Sequence, residues 1–185
     1  MRTIFLTSCA LLLLLQSCFL FDIKPKEKDQ LPPETQTGAN TFGCLVDGKV
    51  FLPKRGGFGS PEHFRCDYQF VDGHFVFQLV GTRYGNDAVN SVGVYYTSTT
   101  LIKEGKYSFS TQSTPDYAFG QHSDGSFTTY RLHKTDGITY TGELWIKKID
   151  TINGIISGTF WFNALDDYGS GSKVEIREGR FDARF

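Results

Sequence analysis

The sequence has a single methionine, the initiator, and only two tryptophans. It lacks HExxH, CxxC, GxSxG and the EF-hand calcium-loop pattern, so no local motif names a hydrolase nucleophile or a metal class. Charge of one sign is missing too: 19 Lys and Arg against 20 Asp and Glu leave a net charge of −1. Nucleic acid, which needs a basic stripe, is therefore not an expected partner. Nowhere do ten residues between turn signals repeat apolar side chains at helical spacing, which argues against helix bundles and α/β folds. What is abundant is glycine and aromatic residues, with 20 Gly, 17 Phe and 9 Tyr, a composition of strands and tight turns.

The one long hydrophobic run is at the start. Arg2 precedes an uncharged stretch from Thr3 to Ser17 with leucines at positions 11–15, the n-region and h-region of an export signal. The run ends in LQSC, which resembles the lipobox of bacterial prolipoproteins, with Leu15, Ser17 and Cys18 in their places and Gln16 departing from the usual small residue. The resemblance implies cleavage before Cys18, acylation of Cys18 as a lipid anchor, and loss of Cys9 with the peptide. Two or more acyl chains, at about 0.8 kcal/mol per buried CH₂, hold a membrane stably. The competing reading is an uncleaved membrane helix, because the uncharged stretch continues through Phe21 to about the spanning length. Residues 18–40, with Pro25, Pro32, Pro33 and alternating charges, read as the lipidated cysteine and a flexible tether. The expected location is the cell envelope, at the outer membrane, with the side of the membrane undecided.

Residues 41–185 read as one antiparallel all-β domain of about ten strands, a sandwich or flattened barrel, with a lipocalin-like closed barrel as the alternative. Phe42, Cys44 and Val46 alternate before an Asp47-Gly48 turn. Phe64, Cys66, Tyr68 and Phe70 alternate before Asp72-Gly73, and Phe75, Phe77 and Leu79 follow. Further strands are expected over 92–97, 106–110, 127–132, 139–150 and 155–164. In a terminal strand Phe181, Ala183 and Phe185 share one face and Arg180, Asp182 and Arg184 the other. In the hairpin GELWIKKIDTINGIISGTFWF a three-residue loop of Ile152, Asn153 and Gly154 would set Leu144 opposite Phe162, Ile146 opposite Phe160 and Trp145 opposite Trp161. This hairpin, TFGCLVDGKVFLP and EIREGRFDARF together resemble uncharacterised lipoproteins of Bacteroidota. That resemblance implies location and fold, and no activity.

Candidate chemistry is sparse. Cys44 and Cys66 are the thiols left after lipidation of Cys18, and in an exported chain they are expected to bridge, the alternative being two buried free cysteines. A loop of about 22 residues closed this way would contribute roughly 3 kcal/mol. His63, His74, His122 and His133 have no metal-ligand spacing and read as surface or turn residues. Neither a metal nor a cofactor is expected. Asp166, Asp167 and the following YGSGS read as a plain turn rather than a calcium loop. Trp145 and Trp161 are the candidate ligand platform, flat rings among Lys147, Ser157 and Thr159 that suit a glycan, peptide or protein; the alternative is a pair that only stabilises the hairpin. The expectation is a membrane-anchored binding or interaction module without catalytic activity. The alternatives are a lipocalin-like carrier of a small apolar ligand and a carbohydrate-active enzyme, whose paired carboxylates leave no local motif.

Overall fold

The computed structural model describes residues 30–111, 115–126 and 129–185. The export signal, Cys9 and Cys18 lie outside the described residues. Leu31–Phe185 form one compact unit, and its described residues hold eleven strands and no helix. They are β1 (Thr41–Val46), β2 (Lys49–Phe51), β3 (Phe64–Val71), β4 (His74–Tyr84), β5 (Val89–Ser98), β6 (Gly105–Ser108), β7 (Tyr117–Gly125), β8 (Tyr130–Lys134), β9 (Gly142–Asp150), β10 (Ile155–Asp166) and β11 (Lys173–Arg184).

All belong to one antiparallel sheet that branches at β10 and is not closed into a barrel. The order runs β2-β1-β11-β10-β8-β7-β5-β4-β3, while β9 pairs with β10 and carries β6 on its other edge. The first part of β10 pairs with β9, and only Leu165 and Asp166 pair with β8. At this fork the sheet turns over, and its two wings face each other as a sandwich. Phe42 of β1 packs on Phe64 of β3, Phe77 of β4 on Phe181 of β11, and Tyr96 of β5 on Tyr107 of β6. A single bridge joins Lys54, just beyond β2, to Arg83 near the end of β4, the strand next to β3. The closed-barrel alternative is thus excluded. Where a barrel carrier would keep its ligand, the rings of Phe42, Phe160, Phe162 and Phe109 pack against one another with centroids 5.4–6.5 Å apart.

Both Asp-Gly turns form as expected. Asp47 and Gly48 take φ of 48° and 76°, and Asp72 and Gly73 take 49° and 83°, the left-handed pairs that suit two-residue hairpins. Phe42, Cys44, Phe77 and Leu79 are buried as their alternation requires, whereas Phe70 at the end of β3 is exposed.

Two expectations need correction. Residues 31–40 are no tether but part of the fold. The carboxylate of Asp182 on β11, itself fully buried, accepts hydrogen bonds from the Thr35 hydroxyl at 2.6 Å, the Thr37 amide at 2.9 Å and hydroxyl at 3.2 Å, and the Gly38 and Ala39 amides at 2.7 and 3.2 Å. Glu34 pairs with Lys147, the Gln36 carbonyl accepts from Lys148, and the Asn40 side chain accepts from the Arg184 amide. Polar composition ruled out apolar burial here, but not docking by hydrogen bonds onto one buried charge. Second, Cys44 and Cys66 are both free thiols. They belong to β1 and β3, which are not neighbours in the sheet; Cys44 sits opposite Phe51 and Cys66 opposite Leu79. Burial pushes the Cys66 thiol up to about 12 and the Cys44 thiol further still, so both act as small hydrophobes.

Candidate functional site

The β9–β10 hairpin carries the tryptophans, and its register differs from expectation. Asp150 accepts hydrogen bonds from the amides of Ile152 and Asn153 and from the Asn153 side chain, which makes a four-residue loop instead of three. Gly154 holds the left-handed φ of 62°. Asp150 therefore faces Ile155, and this shift by one would turn every later side chain to the wrong face. A bulge at Lys147 adds a second shift by one and so restores the faces, because pairing jumps from Lys148 with Ser157 to Ile146 with Gly158. Leu144, Ile146, Phe160 and Phe162 accordingly point into the core. Trp145 now faces Thr159, and Trp161 faces Glu143, so the two indoles are diagonal neighbours rather than opposite each other.

Both indoles lie on the outer face, Trp145 at 40% and Trp161 at 39% exposure. Lys106 and Lys147 stand over the Trp145 ring at 4.8 and 4.6 Å, and the Arg177 guanidinium over Trp161 at 5.6 Å. Beside Trp161 a cleft of about 250 Å³ is lined by Glu34, Glu143, Thr159, Glu178 and Arg180. Each of its carboxylates has a cation partner: Glu34 with Lys147, Glu143 with Lys106, Glu178 with Arg180. Paired charges of this kind offer hydrogen-bonding partners to a ligand rather than a free acid and base. Glu178 holds φ of 50° in the β11 bulge that lines the cleft, a left-handed conformation unusual for a non-glycine residue and often found at functional sites. Ser157, expected on this surface, is buried with Asp182, its partner on β11.

A second cluster escaped the sequence reading. His122 of β7 and His133 of β8 are a directly opposed cross-strand pair with ring centroids 5.5 Å apart. They are buried, at 6% and 5% exposure, and not surface residues as expected. One donor atom each from His122, Asp124 and His133 lie within 4.8 Å of one another. His133 Nε2 is 2.9 Å from the Ser172 hydroxyl, while Nδ1 of both rings is buried without a hydrogen-bond partner. Desolvation, with the second imidazole adding to it and the Asp124 charge opposing it, pulls the His122 pKa down to about 4. Arg131 holds the Asp124 carboxylate through two nitrogens at 2.6 and 3.1 Å. His63 and His74 are not in this cluster; His63 is exposed, and His74 Nδ1 lies 3.1 Å from the Asp72 carbonyl.

The 166–172 loop closes as a turn, with Asp166 accepting from the amides of Tyr168 and Ser170. On the outer face of β5 and β7, Tyr95 stacks on Phe119 at 4.6 Å and Phe119 on Tyr117 at 6.1 Å. This aromatic strip also went unread in the sequence.

These features define an all-β extended-sheet domain with a charged, tryptophan-bearing outer face. Over residues 84–183, more than half its length, the chain matches the family described as domain of unknown function (DUF6252), and it belongs to that family. The match takes in both tryptophans and the histidine cluster, and leaves out β1 to β3 and all of β4 but Tyr84. No curated protein and no solved structure matches.

Proposed function

We propose that this is a lipid-anchored envelope protein of the Bacteroidota lipoprotein type, without catalytic activity, whose β9–β10–β11 face binds a glycan. The observation that carries the binding assignment is the pair of part-exposed indoles beside a cleft of ion-paired side chains. Sugars stack on flat rings and take hydrogen bonds from just such neighbours. The left-handed Glu178 at the cleft supports the reading, because a strained backbone persists where the surrounding structure holds it. The anchor rests on the LQSC boundary at Cys18. With the fold beginning at Leu31, residues 19–30 are what separates anchor from domain.

The binding test is a glycan array followed by calorimetry with the best hit. Trp145→Ala and Trp161→Ala should each weaken binding about tenfold or more while leaving the fold intact. Unchanged affinity in both variants sinks the platform and leaves the indoles a hairpin-stabilising role. For the anchor, Cys18→Ser should move the protein from the membrane to the soluble fraction, and mass spectrometry should find an acylated Cys18 as the first residue of the wild type. An intact Met1 overturns that part.

A further inference from the structure

We propose that His122, His133 and Asp124 form a binding site for a divalent transition-metal ion of zinc-like preference. The β7–β8 ladder sets the two imidazoles directly opposite each other and Asp124 two residues along on the same face, so three donors converge without help from a loop. Two neutral imidazoles and a carboxylate are the donor set of open zinc sites, in which a water or a ligand completes the tetrahedron.

The unpartnered nitrogens point to a ligand. Both rings are more than nine-tenths buried, and each leaves Nδ1 with no partner. A buried polar atom without a partner is costly, and a histidine pair placed only for packing would be less stable than an apolar pair at these positions.

The donors, within 4.8 Å of one another, are spread wider than the roughly 3.3 Å that tetrahedral bonds of about 2 Å imply, and small ring rotations bring them together. Arg131 is the competing cation on Asp124, and its side chain is largely exposed and can swing away. Among alkaline-earth ions, calcium and magnesium prefer all-oxygen sites and should not compete.

The test titrates ZnCl₂ into the full chain in detergent by calorimetry. One equivalent should bind. His122→Gln and His133→Gln should each weaken binding at least tenfold, and Arg131→Ala should tighten it several-fold, which a purely structural role for these residues does not foresee. Should a histidine variant fail to fold, the wild type decides by NMR: zinc should shift the ring nitrogens of His122 and His133 and leave those of His63 and His74 in place. Absence of saturable zinc binding, binding unchanged in both glutamine variants, or shifts confined to His63 and His74 overturns the site.

Discussion

Single side chains decide more of this protein than its bland composition suggests, and Asp182 is the clearest case. Burial raises its pKa, but the hydrogen bonds from Thr35, Thr37, Gly38 and Ala39 outweigh burial and hold the carboxyl below the usual carboxylate range. Asp182→Ala strands these donors and should lower stability by about 3 kcal/mol, read by urea denaturation. A depressed carboxylate contributes its stability above the unfolded pKa of about 3.9 and loses it as pH falls through the folded value. Wild-type stability should therefore drop as pH is lowered from about 4, and Asp182→Asn should flatten that fall. Cys44 and Cys66 give a second residue-scale expectation. In the native state neither should react with a thiol reagent, whereas denatured, unreduced protein should show both. A silent denatured sample would mean that the two are bridged.

At the scale of elements, the β9–β10 hairpin shows how a local rule survives a wrong detail. The three-residue loop was incorrect, yet the faces were right, because the longer loop and the Lys147 bulge each shift the register by one and their effects cancel in parity. Gly158 makes the bulge possible: a Cβ there would lie 2.0 Å from the Trp145 carbonyl oxygen. Gly158→Ala should destabilise by about 1–3 kcal/mol, measured by thermal or urea unfolding, and should disturb the Trp145 environment in fluorescence. Strand β7 was missed for a related reason. Its inward positions are Ala118, Gly120 and His122, and its large rings, Tyr117 and Phe119, point out. The alternation of large apolar residues thus reads as no core strand at all. Gly120 is small because the Phe162 ring fills its place, with a Cβ there only 2.5 Å from the ring. That constraint comes from β10, some forty residues away, and no window along the chain contains it.

For the whole molecule, the domain boundary falls at Leu31 and not at Thr41. Pro32 and Leu31 cover Gly43 on β1, where a Cβ would meet them at 2.6 and 3.2 Å. A chain beginning at Leu31 should melt with the mature protein, while one beginning at Thr41 should melt at least several degrees lower by calorimetry, having lost the cover over Asp182. Equal melting temperatures would restore residues 31–40 to the tether. At the same scale, phenylalanine rings packed against one another fill the interior between the two wings, which counts against the carrier alternative.

By itself the sequence determined the all-β class, most of the strands, both Asp-Gly hairpins and the outward face of Trp145 and Trp161, all of which follow from period-two patterning and turn chemistry within a few residues. Tertiary structure alone decided that the sheet forks at β10 into an open sandwich, that a polar segment docks on Asp182, and that His122 meets His133 and Asp124. Each of these depends on strands distant in the chain sharing one space, where the volume of a ring or the charge of one buried carboxylate selects its neighbour, and no local pattern records that choice.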